Sequence, residues 1–268
     1  MYTIDKIMSF LRYSVKSPKS FGLFHWFFII SCIVITALLI IFALKVKEKT
    51  FRKIVFSLWC VMLFVETYKQ LVHCYDGQSW WYDWSTFPFQ LCSTPFYLLP
   101  IIIFGKDGKI RDATIFYMGT FALFGGICVY AFPDVVFATD ILGLHLQTMI
   151  HHGVQIALGI YMPIYYAKKF NLKNFLGASI MFLALTLIAL TLNLIIAPRV
   201  DQTFNLFYIG PHHPCELPIL STIYQSTPFI VFLLSYVLGY TAVALLVMAL
   251  LWGVIILARK INKKQETL

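Results

Sequence analysis

A succession of apolar runs constrains this chain most. Each is close to the roughly 20 residues that a helix needs to cross a bilayer, as in FHWFFIISCIVITALLIIFAL at 24–44 and NFLGASIMFLALTLIALTLNLII at 174–196. Inside lipid every backbone polar group must find its partner within the protein, so such runs fold as helices. Only 12% of the 268 residues are charged and mean hydropathy is +0.79, whereas a soluble domain carries about 25% charged residues. A water-soluble globule is excluded. The expected fold is an all-α polytopic bundle of seven transmembrane helices, at roughly 23–44, 52–73, 86–104, 113–132, 143–166, 175–197 and 228–257.

The net charge of +9 would suggest nucleic acid in a soluble protein. Here the basic residues orient the bundle instead. With seven spans, fifteen of the twenty-one Lys and Arg fall on one side: residues 45–53, 106–111, 168–173 and 259–264. The other side keeps Lys6, Arg12, Lys16, Lys19, Lys69 and Arg199. The positive-inside rule then puts the N-terminus outside and the C-terminus in the cytoplasm. Residues 1–20 lack the apolar core and cleavage site of a signal peptide. Ile4, Ile7, Met8, Leu11 and Val15 share a helical face there, which predicts an interfacial amphipathic helix. The domain reading is therefore 1–20 interfacial helix, 21–258 seven-helix membrane domain and 259–268 basic cytoplasmic tail. Trp80, Trp81 and Trp84 read as an aromatic belt at the outer interface.

All seven histidines map to the outer half: His25, His73, His145, His151, His152, His212 and His213. Ionisable residues within a membrane are costly and count as functional candidates, so an outward-opening polar pocket is one reading and ordinary backbone bonding the other. In FPFQLCSTP (87–95), Pro88 suits a first helical turn, and Cys92 is either a nucleophile with Gln90, Ser93 and Thr94 nearby or a buried inert thiol. In LHLQTMIHHGVQ (144–155), His145 and His152 share a face at i, i+7, while His151 points about 100° away. A meeting of His152 with Cys92 would supply a general base. Glu66, Lys69, Gln70 and His73 also share a face; Glu66 with Lys69 is a structural charge pair, or Glu66 orients a histidine elsewhere.

The six cysteines contain no CxxC pair, which argues against a disulfide scaffold or zinc ribbon. Cys74 and Cys215 share the outer side and could pair. GPHHPCELP (210–218) offers metal-compatible donors without a zinc signature, so it is read as a lid or, less simply, a metal loop. No metal or other cofactor is assigned.

FGLFH (21–25), FVETYKQ (64–70), FPFQLCS (87–93), GGICVYAFPD (125–134), the LHLQTMIHHG segment and TFNLFYIGP (203–211) resemble the YwaF-type bacterial integral membrane proteins, relatives of eukaryotic transmembrane protein 164. The matches run in order along nearly the whole chain. That family's third-span motif usually reads LPLHLCS, so Phe87 and Gln90 depart from it; Asn205 matches its NY pair while Leu206 replaces the tyrosine. The resemblance implies a fold similar to the androgen-induced fatty-acid-ester hydrolases. It further implies a cysteine-dependent phospholipid acyltransferase chemistry, with Cys92 as nucleophile and His152 or His151 as base.

Two functions compete at this point. The first is a cell-membrane lipid acyltransferase or hydrolase, using Cys92 and His152 in a pocket open to the outer leaflet. Membrane phospholipid or another acyl lipid is its partner, Gln90, Ser93 or Asn205 stabilises an oxyanion, and His25, His145 and Glu66 support the pocket. The second is a transporter or small-ligand-binding membrane protein without covalent chemistry. A scaffolding role would need no pocket at all. The oligomeric state is not legible.

Overall fold

A computed structural model describes residues 2–75, 77, 79–134, 136–169 and 171–265, with side chains over the same stretches except residues 2, 3 and 257–265. The described residues form helices joined by loops, and the only β-type pairings among them are two isolated bridges. After the short α1 (Tyr2–Leu11) come α2 (Leu23–Ala43), α3 (Glu48–His73), α4 (Pro95–Phe104), α5 (Lys109–Tyr117) and α6 (Leu123–Ala131). The chain continues through α7 (Leu142–Tyr165), α8 (Leu172–Ile196), α9 (Leu220–Ser226) and α10 (Phe229–Gln265).

Five helices are long and apolar enough to cross a membrane: Leu23–Ala43, Glu48–His73, Lys109–Ala131, Leu172–Ile196 and Phe229–Ile256. The other two expected spans differ from that pattern. The third is shortened, because Pro95, not Pro88, takes the first helical turn and only Leu91–Phe104 forms an apolar helical stretch. The fifth, α7, has 24 residues but carries His145, Gln147, Thr148, His151, His152 and Gln155, all buried. Its polarity is tolerated because α2, α3 and α6 pack around it and hide it from lipid.

Outward-facing positions are apolar: Leu23, Phe27, Ile41 and Phe42 on α2 and Ile180 and Leu187 on α8 are all exposed, as a lipid-facing surface requires. Between α5 and α6 a π-helical segment, Met118–Ala122, continues one long rod. A Cβ on Gly119 would stand 2.2 Å from Pro163 Cγ, and one on Gly159 would stand 2.9 Å from the Met118 carbonyl oxygen. Glycine at both positions lets this rod lie against α7 backbone to backbone. Gln155 reaches from α7 to donate to the Ala122 carbonyl at 2.6 Å, at the end of the π segment.

At the basic end Arg111 is only 1% exposed. Its guanidinium donates to the Ile102 carbonyl (3.0 Å), Asp107 (2.7 Å), Glu48 (2.5 Å) and the Tyr166 hydroxyl (2.7 Å). Arg52 joins the same group through Glu48 (2.9 Å) and the Gly105 carbonyl (2.7 Å). Four hydrogen bonds, two of them to carboxylates, offset the cost of burying this cation, and they tie the starts of α3 and α5 to the end of α7.

At the opposite end the N-terminal segment crosses the α6–α7 connection. The Val15 amide donates to the Asp140 carbonyl (2.7 Å), the Leu142 amide to the Tyr13 carbonyl (3.1 Å), and the Ser17 hydroxyl to the Thr139 carbonyl (2.7 Å). Within α1, Met8 is buried and Leu11 packs with Tyr68 on a small cluster of Val72, Ile141 and Leu144, whereas Ile4, Ile7 and Phe10 remain exposed. The apolar face read as one surface is thus divided between the bundle and the outside. Residues 259–265 continue α10 as helix without described side chains, and the last three residues of the expected tail lie outside the described residues.

Candidate functional site

His151 and His152, 2% and 6% exposed, lie in the middle of α7. The Cys92 carbonyl and the Thr148 carbonyl can only accept, so each ring's tautomer follows from its bond. His151 donates from Nε2 to the Cys92 carbonyl at 2.9 Å. His152 donates from Nδ1 to the Thr148 carbonyl at 2.7 Å. The remaining nitrogens, His151 Nδ1 and His152 Nε2, are buried lone pairs with no partner. Buried polar atoms are nearly always satisfied, so two adjacent unpartnered acceptors, on rings 4.9 Å apart, mark a place where a proton donor belongs.

Cys92 sits in a tight 3-10 turn, Leu91–Ser93, before α4. Thr94 fixes that turn by donating to the Leu91 carbonyl (2.7 Å) and meeting the Tyr117 hydroxyl (2.9 Å). As a residue Cys92 is half-buried. The histidine contact is to its main chain: among the described residues no hydrogen bond joins its Sγ to either imidazole. Apo geometry is often loose at such pairs, and His151, with His152 behind it, holds the turn that presents the thiol.

Gln90 and Asn205 are loop staples. The Gln90 amide donates to the Asn205 carbonyl (2.9 Å) and accepts from the Phe207 amide (2.7 Å). Asn205 accepts from the Gly210 amide (2.7 Å) and donates to the His213 and Pro214 carbonyls. Asn193 clamps Leu206 from α8 at 2.7 and 2.9 Å. These amides hold Phe207 and Tyr208 in left-handed conformations (φ 56° and 57°), each of which costs on the order of 1–3 kcal/mol. Both expected oxyanion donors are therefore occupied, which leaves Ser93 of the three. Tyr208 sits within electrostatic range of Cys92; burial first, then Cys92, Glu216 and Cys215, push its hydroxyl up to about 12.

On α3, Glu66 Oε1 accepts from Lys69 Nζ (2.8 Å) and Gln70 Nε2 (2.8 Å). Gln70 also donates to the Thr86 carbonyl at 2.8 Å, binding α3 to the loop that leads to Cys92. Both charges act electrostatically on Cys92 and on His152.

A family model described as the TMEM164 family matches residues 20–255 of the 268. This chain belongs to the TMEM164 family. It is a membrane protein, and the matched stretch contains Cys92, His151 and His152 but not α1. No curated protein and no solved structure matched it.

In this TMEM164-family chain the remaining candidates stand apart from Cys92. His25 and His145, both fully buried, pack edge-on against Phe137 with centroids 5.6 Å away, under the N-terminal segment. His25 Nδ1 accepts the Phe21 amide at 3.0 Å. In the loop between α8 and α9 His213 meets Glu216 at 3.4 Å, and Cys215 is buried, which pushes its thiol up. Cys74 and Cys215 are both free thiols. Among the described residues no three His, Cys, Asp or Glu side chains are grouped to hold a metal ion. Lys69 and Tyr208 are the neighbours of Cys92 that sequence reasoning left out of the site. Lys69 was visible as a helix-face partner of Glu66, whereas nothing local in the sequence marks Tyr208.

Proposed function

We propose that this TMEM164-family protein transfers or hydrolyses the acyl group of a membrane lipid through a thioester on Cys92. The observation that carries the reading is the pair of buried, unpartnered imidazole lone pairs at His151 Nδ1 and His152 Nε2, on rings that hold the turn carrying Cys92. The Cys92 thiol adds to the ester carbonyl while its proton passes to His152 Nε2, through one ordered water. The tetrahedral intermediate expels the alcohol, which takes that proton, and an acyl thioester remains. Water or a second lipid hydroxyl then attacks, His152 again accepts the proton, and the thiol is regenerated. His151 positions the turn through the Cys92 carbonyl, Ser93 is the remaining oxyanion donor, and the Glu66–Lys69 pair sets the local field.

The topology that suits this chemistry has seven spans, counting the short α4 region and the polar α7. The N-terminus and α1 lie at the outer face of the cell membrane, the C-terminus lies in the cytoplasm, and lipid arrives laterally from the outer leaflet.

Intact-mass analysis of the purified chain with a lipid acyl donor tests the reading. An acyl adduct should map to Cys92, and His152→Ala should slow its formation by about 10²-fold or more, the usual scale of general-base catalysis. His151→Asn should slow it less. A wild type that never acylates, or a folded Cys92→Ala that retains turnover, removes the mechanism.

A further inference from the structure

The basic end of the bundle carries a groove of about 560 Å³ between the α2–α3 and α7–α8 connections, lined by Leu44, Lys45, Val46, Tyr166, Lys168 and Lys169 among others. The nearby carboxylates are already engaged: Glu48 with Arg52 and Arg111, Asp107 with Arg111, and Asp112 with Lys169 at 2.8 Å. Among the described residues Lys45 and Lys168 have no carboxylate within the 4.0 Å of an ion pair, and both are exposed.

These lysines do not cap helix ends either. The Ala43 carbonyl accepts from the Tyr161 hydroxyl and the Val46 carbonyl from the Tyr165 hydroxyl, each at 2.9 Å. Tyr166 forms a fixed wall, its hydroxyl donating to Glu48 at 2.6 Å and accepting from Arg111 at 2.7 Å. Lys169 and Arg111 stand over its ring at 5.4 and 5.2 Å. α2 leads into the groove and exposes Leu38, Ile41 and Phe42 towards its end, and Leu44 and Val46, next in the chain, line the groove itself.

The positive-inside rule accounts for lysines on this side, but not for a groove that no carboxylate among the described residues lines and that adjoins the exposed apolar ridge at the end of α2. A free anion has no use for that ridge, whereas a lipid needs both parts. We propose that this groove holds the phosphate of an anionic membrane lipid, Lys45 and Lys168 meeting its oxygens while an acyl chain lies along α2. The site is independent of the Cys92 chemistry and stands whether or not that chemistry does.

Native mass spectrometry of the full chain in detergent tests it, titrating phosphatidylglycerol against phosphatidylcholine of the same acyl chains. Wild type should retain phosphatidylglycerol about thirtyfold better, the scale of two juxtamembrane lysines. Lys45→Gln with Lys168→Gln should bring the two lipids within about twofold, while the Arg/Arg pair, and Lys49→Gln with Lys53→Gln outside the groove, keep the preference. Circular dichroism checks that each variant is folded. Equal retention of the two lipids by wild type, or undiminished preference in the folded Gln/Gln variant, overturns the proposal. Displacement of phosphatidylglycerol by millimolar inorganic phosphate identifies a free-anion site and overturns the lipid assignment. Should the Gln/Gln variant not fold, Lys45→Gln alone and Lys168→Gln alone should each narrow the preference about fivefold, and folded single variants with the wild-type preference overturn the proposal.

Discussion

Gln90 commits both ends of its side-chain amide to a loop 115 and 117 residues away in sequence. A buried group that loses its partner costs about 1–3 kcal/mol, and Gln90→Leu would strand two, the Asn205 carbonyl and the Phe207 amide. It would also release the left-handed Phe207 and Tyr208. The expected loss is about 2–4 kcal/mol, read as a lower midpoint in detergent thermal unfolding, with slower acylation of Cys92 because the adjoining turn loosens. A midpoint equal to wild type would show that Asn193 alone holds the loop. Pattern reading could place Gln90 beside Cys92 but could not see this role, since the partner atoms are backbone groups brought close only by the fold.

Among the elements, α7 decides how the others are arranged. Its glycines set the approach of the α5–α6 rod: the 2.9 Å that a Cβ at Gly159 would leave to the Met118 oxygen is closer than packed atoms tolerate. Gly159→Val should therefore cost about 1–3 kcal/mol, the usual scale of overpacking. Gly239→Ala on α10, where nothing lies within 4 Å, should leave unfolding unchanged. A folded Gly159→Val with a wild-type midpoint would contradict the close crossing. The apolar runs announced α2 and α8 to within a residue or a few, because lipid exposure leaves hydropathy as the dominant constraint. α4 was less legible: Pro88 and Pro95 both fit a helix start, and the side-chain amide bonds that anchor Gln90 ahead of the helix come from the distant 205–207 loop. The i, i+7 spacing aligned His145 with His152, yet Phe137 draws His145 toward His25 and leaves His151 to contact the Cys92 segment. Helical periodicity gives a residue's angle on its own helix but not the identity of the neighbour it meets.

For the molecule as a whole, the separation of charge is the main organising feature. The buried Arg111 network and the acid-free groove occupy one end, while the aromatic loop, His25, His145 and the N-terminal segment occupy the other. Orientation can be read with single cysteines introduced into a background without native ones. Substitutions at Lys109 and Lys173 should label with an impermeant reagent only after permeabilisation, and those at Lys16 and Asp201 should label in intact cells. The reverse pattern would invert the bundle and put the Cys92 region in the opposite leaflet.

The bonds between the N-terminal segment and the α6–α7 connection also bear on biosynthesis. Ser14 finds its carboxylate partner, Asp140, 126 residues later in the chain, an interval on the order of ten seconds at ordinary synthesis rates. Until α7 emerges, the segment around Ser14 has no docking surface, so a stretch made well before α7 settles only after it, and its closure over His25 and His145 reports that the bundle beneath has assembled.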